Sequence, residues 1–422
     1  MLPGTNSKCP EVFFTFLFIF ISALLFSQTP TEPSRIILNP LESGHTGVSI
    51  TWRCPREVKE NYIQWKIADP HPIHSETILD QQNASFQLDT VTYEGKTGIF
   101  KSFRAQLTNL APGTKYIYRV GSNSNQWSEW IQFHLPEASP DSIFSFIYFG
   151  DPQSDLHSQW SRTIRQAYST APESAFLLYA GDLVNRGYND REWGDFYRAG
   201  DFIHRMIPSV MTPGNHEYEY PILSPLWKTH FTLPQNGPEE IKELYGACYY
   251  IDYPAVRIIS LDGTRLENDR KLRKIQAKWL EKVLSVTDKK WIILTLHQPF
   301  YSTKASRDNP QIRKALKPLL DKYGVDLVLQ GHDHAYGRGM LDENSKHPVK
   351  AGTMYVVSVS GPKMYEVGDQ KEWMTKSTEN TQLYQVIKIN GNKLFFECYT
   401  TTGDLFDSFV LQKGTNASIL IE

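Results

Sequence analysis

Cysteine is scarce in this chain of 422 residues: there are four, and no two have C-x-x-C spacing. That excludes a zinc ribbon or a dithiol redox centre. Cationic excess is missing as well, with 44 Lys and Arg against 46 Asp and Glu and a net charge of -2. No basic field draws in a nucleic-acid polymer, so none is expected as a partner. Long apolar runs are absent except for one, 13-FFTFLFIFISALLFS-27. At ~15 residues it is shorter than the ~20 of a membrane span. With Lys8 before it, it reads as a secretory signal over residues 1–27; an uncleaved N-terminal anchor is the alternative. The remainder is expected to be exported, to periplasm, cell surface or medium, and to touch no membrane after cleavage. Cleavage removes Cys9 and leaves Cys54, Cys248 and Cys398. An odd number means at least one unpaired thiol. A Cys248–Cys398 bridge and free buried thiols both fit. Internal repeats and low-complexity segments are not found.

What is present divides into two textures. Over residues 35–136 apolar and polar residues alternate in short runs: 48-VSITWRC-54, 62-YIQWKIA-68, 99-IFKSFRAQL-107, 116-YIYRVGS-122 and 128-SEWIQFHL-135. Turn clusters separate them, which predicts an all-β sandwich of about 100 residues. The stretch 107-LTNLAPGTKYIYRVG-121 is similar to the fibronectin type III pattern. Trp52, Trp65, Trp127 and Trp130 read as its core. A Pro-rich linker, 136-PEASPD-141, follows. From Ile143 strand-like runs alternate with helical ones at 156–170, 190–206, 273–286 and 310–323, the pattern of an α/β layered fold. The tail, 384–411, carries Asn-Gly and Thr-Gly turns between strands and predicts antiparallel hairpins.

The chemistry is concentrated where core strands stop. Five apolar runs end in polar residues: Asp151 in 146-FIYFGDPQ-153, Asp182 in 176-FLLYAGDLVN-185, Asn215 and His216 in 209-SVMTPGNHE-217, His297 in 292-IILTLHQP-299, and His332 with His334 in 325-VDLVLQGHDH-334. In α/β sheets ligands bind at the carboxyl ends of strands. Each motif alone has an ordinary explanation, such as a Gly-Asp turn or a structural histidine. Leaving His216 aside, together they supply two carboxylates, an amide and three imidazoles without a thiol. Such nitrogen and oxygen donors suit a pair of ions such as iron, zinc or manganese.

The order GD, GD, GNHE, H, GHxH resembles that of the calcineurin-like metallophosphoesterases. With the fibronectin-like sandwich in front, the chain resembles their purple acid phosphatase branch. The resemblance implies a four-layer α/β/β/α sandwich over residues 143–413, preceded by an all-β sandwich over residues 34–136. It implies two divalent or trivalent metal ions. Asp151, Asp182 and His334 would hold the first, and Asp182, Asn215, His297 and His332 the second. His216 would protonate or stabilise the leaving oxygen of a small phosphate ester, attacked by a metal-bound hydroxide. The branch has GDxxY, whose tyrosine binds ferric iron. Here Asn185 takes that place, so a colourless protein is expected. Relatives that begin with DxH have a histidine where this chain has Gln153. Gln153 and Asn185 are therefore candidates for a metal or water contact. Arg338 and Tyr301 are candidates for substrate contact, since arginine meets phosphate bidentately. The expected activity is phosphomonoester hydrolysis of the acid phosphatase type. A phosphodiesterase is the alternative, and a non-catalytic surface protein the alternative from another class. Substrate, metal identity and oligomeric state stay open.

Overall fold

The alternation that predicts strands also decides which of their faces meet. In the computed structural model, described for residues 1, 4 and 32–421 except 75–76, 94–95, 123–125, 343 and 369–371, Val48–Pro55 is a strand buried along its whole length. Val48, Ile50, Trp52 and Cys54 point into a core shared with Phe103, Ala105, Leu107, Ile63, Tyr118 and Phe133. Ser34–Pro40, Val48–Pro55, Lys96–Leu107 and Ser85–Tyr93 make one sheet, in that order. Asp80–Asn83, Tyr62–Ile67, Lys115–Ser122, Gln126–Trp127 and Ile131–His134 make the other. This is the expected β-sandwich. Ser34–Pro40 and Ser85–Tyr93 went unpredicted, the latter because its burial is slight and its side chains mixed.

Val48–Pro55 is buried on its polar face too, because that face docks onto the following part of the chain. The Ser49 hydroxyl donates to the Thr232 carbonyl at 2.6 Å, and Thr51 meets the Thr232 hydroxyl at 3.1 Å. Arg53 Nη1 and Arg35 Nη1 both reach Asp190 Oδ1, at 2.7 and 2.6 Å. Asn39 bridges Ser209 and Thr232 by its amide. Sandwich and layered part form one compact unit, Thr31–Glu422.

After irregular residues 135–143 the chain builds two half-sheets. In the first, Phe144–Phe149, Leu177–Ala180 and Ser209–Thr212 run parallel. Leu383–Asn390, Lys393–Thr400 and Leu405–Lys413 extend it antiparallel as predicted hairpins, turning at Gly391 and Gly403. In the second, Val256–Ser260, Trp291–Thr295, Leu327–Gln330 and Ala351–Val357 run parallel, with Tyr249–Asp252 antiparallel at the edge. Ser418–Leu420 pairs with both halves. Strand alternation then sorts the core. Leu327, Leu329, Ile293 and Val356 face the first half-sheet, while Val328, Leu294 and Val357 face outward to Leu272, Leu280, Ile312 and Leu316. Helices Ser161–Thr170 and Asp190–Met206 cover the other outer face with Ile164, Trp193, Phe196 and Ile203. The result is helix, sheet, sheet, helix.

The helices at 190–206 and 310–323 have the predicted bounds, and that at 273–286 starts earlier, at Arg270, where Asp269 accepts from Lys271 and Leu272 N–H. The 156–170 helix begins with a wide turn, Leu156–Trp160. Pro318 lies inside Pro310–Tyr323 at a cost of about 3 kcal/mol. Burial of Ile312, Leu316 and Leu320 outweighs it at roughly 1.5–3 kcal/mol each. Short helices Pro225–His230 and Gly263–Asn268 were not predicted. Cys54, Cys248 and Cys398 are buried free thiols. Cys9 and the apolar run at 13–27 lie outside the described residues. Among the described ones, no helix is long and apolar enough to cross a membrane.

Candidate metal centre

The five motifs leave the carboxyl ends of parallel strands drawn from both half-sheets, and the turns there are unusual. Asp151, Asp182, His332 and His334 all have positive φ, at 41°, 49°, 77° and 48°. A non-glycine residue in this region costs ~1–3 kcal/mol and persists only where its surroundings over-determine it. The flanking glycines answer to crowding. A Cβ on Gly331 would collide with Asp151 Oδ2, and one on Gly214 with Asp182 Oδ1. A strand stops on glycine here because a carboxylate from another motif must come that close.

The side chains then converge. Asp182 Oδ2 is 3.0 Å from His297 Nε2, which is 3.1 Å from His332 Nδ1 and 4.0 Å from Asp151 Oδ1. His334 Nε2 is 3.6 Å from Asp151 Oδ1. Two triads have ligand atoms within 4.8 Å of one another, Asp182 with His297 and His332, and Asp151 with Asp182 and His334. Asp182 is common to both. Among the buried oxygens without a hydrogen-bond partner, three sit in these motifs: Asp151 Oδ1, Gln153 Oε1 and Asn215 Oδ1. Buried oxygens without donors are costly unless something cationic meets them, and these three stand beside the carboxylates and imidazoles of the two triads. The donor set therefore fits metal ions.

Main-chain carbonyls fix the imidazoles. His297 Nδ1 donates to Ala180 O at 2.8 Å, His334 Nδ1 to Lys363 O at 2.9 Å, and His216 Nδ1 to Asn185 O at 2.6 Å. A carbonyl only accepts, so each Nδ1 carries a proton, and in the neutral ring the lone pair is on Nε2. Asp151 Oδ2 accepts from His332 N at 2.7 Å, and Asp182 Oδ1 from His216 N at 2.9 Å. Gln153 spends its Nε2 on Asp182 Oδ2 at 2.9 Å and His334 Nε2 at 3.1 Å.

Electrostatics follow from burial. Burial raises the Asp151 carboxyl well above its ordinary range. It pushes Asp182 the same way, but the surrounding imidazoles, His297 foremost, bring it below that range. Burial lowers His297, yet Asp182 and Asp151 raise it to about 9. Burial, then the charge of Lys363, takes His334 down to about 3. Concentrated carboxylates and crowded imidazoles in one dry site are what a bound cation relieves.

Two carboxylates in the same motifs went unremarked in the sequence. Glu217 is fully buried and accepts four main-chain N–H groups, from Asp182 at 3.0 Å, Leu183 at 2.8 Å, Val184 at 3.3 Å and Gly214 at 2.7 Å. It ties the second motif to the third. Asp333, between the two histidines, accepts from Ser302 Oγ and Thr303 N, each at 2.7 Å, and from Arg307 Nη1 at 2.5 Å. An acid inside a motif is the only sequence signal for either.

The two candidates for substrate contact, Arg338 and Tyr301, are elsewhere. Arg338 is bound bidentately by Asp407, at 2.7 and 2.8 Å, and has no bond to the ligand set. Tyr301 packs in the second core against Tyr355 and Trp373. Neither is brought to the site; both are spent on packing and pairing. Tyr188 donates to Ile222 O and lines the cleft that holds Asn215 and His216. His204 pairs with the Tyr179 hydroxyl, and His230 packs on Trp193, both in the core. Asn185 contributes its carbonyl to His216 and lines an open cleft of ≈ 720 Å³ with Asn215, His216, Tyr218 and, from the sandwich, Thr92.

Residues 153–336 match the calcineurin-like phosphoesterase family, and residues 33–135 the purple acid phosphatase N-terminal domain. Acid phosphatase type 7 of Mus musculus is 30% identical over 257 residues, 56% of this chain and 56% of that protein. Fe(3+)-Zn(2+) purple acid phosphatase 12 of Arabidopsis thaliana is 25% identical over 360 residues, 81% of this chain and 72% of that one. Purple acid phosphatase PPD1 from yellow lupin seeds shares the fold, with a TM-score of 0.73 at 20% identity, covering 91% of this chain and 75% of the lupin chain. The chain spans about half the length of the acid phosphatase type 7 relatives it matches, 56%.

Proposed function

From a chain that joins a calcineurin-like phosphoesterase domain to a purple acid phosphatase N-terminal domain, we propose an exported, dinuclear metal-dependent hydrolase of phosphomonoesters, of the acid phosphatase type. One observation carries the reading: a single buried carboxylate, Asp182, belongs to two adjacent triads of nitrogen and oxygen donors. Asp151, Asp182 and His334 would hold one ion, with Gln153 beside them. Asp182, Asn215, His297 and His332 would hold the other. Bound there, two ions such as iron, zinc or manganese supply Lewis acidity to a phosphate ester and to a water.

The chain's own groups do the rest. His216 stands at the cleft with Nε2 3.9 Å from Asp182 Oδ2 and its Nδ1 proton committed to Asn185 O. In the doubly protonated ring its Nε2 is thus the atom that can pass a proton to a leaving oxygen in the cleft. Glu217 and Asp333 hold the turns that orient the ligands. With Asn185 where a tyrosine ligand would stand, the iron-loaded protein has no tyrosinate band; a visible spectrum checks this. Residues 1–27 act as a signal peptide, 34–136 as the fibronectin type III-like domain and 143–413 as the phosphoesterase domain. N-terminal sequencing of the secreted protein tests the cleavage.

The decisive experiment strips metals from the protein and restores Mn, Zn, Fe and Co singly and in pairs. Hydrolysis of p-nitrophenyl phosphate and its bis ester is then compared across pH. Metal-restored monoester turnover is expected. A strong preference for the bis ester would make the protein a phosphodiesterase. Two bound ions with no turnover on either would leave a non-catalytic scaffold.

A further inference from the structure

On the His334 side of the ligand set, two loops carry lysines that the reaction outlined above does not use. The Lys363 carbonyl takes the His334 Nδ1 proton at 2.9 Å, and Tyr365 N donates to His334 O at 3.1 Å. The Tyr365 ring stands edge-on to the His334 ring, with centroids 4.7 Å apart. Lys304 Nζ lies 4.0 Å from the centroid of that tyrosine ring, and Lys363 Nζ 5.6 Å. Neither ammonium meets a carboxylate among the described residues, although both are half-buried. Their loops are anchored. Gly368 N donates to Thr303 O at 2.8 Å, and Asp333 holds Ser302 and Thr303.

Like charges gathered on one ring repel, and their side chains lose rotamer freedom. Cation–π contact with a tyrosine offsets this in part. The lysines are not there to neutralise Asp151 and Asp182, since ions held by those carboxylates would already do so. What the pair lacks among the described residues is an anion. The geometry points to a second anionic subsite, in which Lys304 and Lys363 over Tyr365 receive a carboxylate or second phosphate carried by the leaving part of the substrate. This rests on the phosphatase reading and narrows its substrate class to doubly anionic esters.

The test compares esters that differ by one anionic group. Glycerol 3-phosphate is set against 3-phosphoglycerate for a carboxylate, and fructose 6-phosphate against fructose 1,6-bisphosphate for a phosphate. The readout is the ratio of kcat/KM within each pair. In the wild type at least one ratio favours the doubly charged ester. In Lys304→Gln/Lys363→Gln that ratio falls ~10-fold, the scale of one lost charge-assisted hydrogen bond. Lys304→Arg/Lys363→Arg, which keeps both charges, restores it. The pair that responds identifies the anion. A wild type with no preference in either pair, or a double variant with unchanged ratios, overturns the subsite. Calorimetric binding of 3-phosphoglycerate and glycerol 3-phosphate to the metal-loaded protein separates the two readings. A wild type that hydrolyses none of the four esters sinks the phosphatase reading. The subsite then stands or falls on whether 3-phosphoglycerate binds tighter than glycerol 3-phosphate, and whether the glutamine variant loses the difference. Thermal unfolding of each variant shows that it is folded.

Discussion

Two groups of candidate ligands flank Asp182, and they differ in kind. On one side stand Asp151, His334 and Gln153; on the other, Asn215, His297 and His332. The first side carries a second carboxylate, buried and held well above its ordinary range by that burial. The second offers two imidazoles and a neutral amide, with His297 raised to about 9 against burial by Asp182 and Asp151. A carboxylate-rich site favours a harder or more highly charged ion, and an imidazole-rich one a softer divalent ion. The amides differ too. Asn215 leaves its oxygen bare, whereas Gln153 turns its nitrogen toward two ligand atoms and leaves its oxygen bare behind. Oxygen and nitrogen of an amide exchange places by a half-turn. An ion on the first side would therefore favour the flipped amide. The two sides thus differ in readiness, one open and the other screened by a donor.

Breaking the shared carboxylate should have the largest effect. Asp182→Ala is expected to lose both ions and all turnover; elemental analysis that still finds two ions per chain would refute the bridging role. His216→Ala touches neither side's ligands. It should keep both ions while turnover falls ~10²–10⁴-fold, the range of a general acid, and unchanged steady-state kinetics would remove its role. Glu217→Ala leaves four buried N–H groups without an acceptor. It should cost at least ~3 kcal/mol, seen as a lower Tm and loosened ions on both sides, whereas an unchanged Tm would show that water replaces the carboxylate. Gln153→Ala sharpens the contrast. Outer partners of ligands contribute ~10–100-fold in metal affinity. Its chelator titration should show one step shifted and the other still, and equal shifts would erase the distinction between the sides.

The convergence of these donors was legible because strand ends are. An apolar run that stops on Gly-Asp or Gly-His marks both the end of a strand and the residue placed there. Helix 190–206 was legible as a helical run, and the structure adds its cap, Asn189. Glu217 and Asp333 were not, because their partners are main-chain N–H groups, serine, threonine and an arginine brought in by folding. Arg338 shows the reverse error. Lying four residues after His334, it is next to the site in sequence, yet it sits in a strand, Tyr336–Leu341, and Asp407 from a distant hairpin takes its guanidinium. Ser85–Tyr93 lacked a clear alternation, since much of it faces solvent. Yet its end brings Thr92 to the cleft.

The strand Val48–Pro55 has a consequence for how such a chain can change over generations. Its apolar face could be supplied by any sandwich of this kind, but its polar face matches one neighbour, through Thr232 and Asp190. A sandwich transplanted from another protein would bring valines and isoleucines in the right places and strangers at positions 49, 51 and 53. Exchange of modules would then strand Asp190 beside the loop that follows Asp182. The two parts are separable on paper and heritable only as a pair.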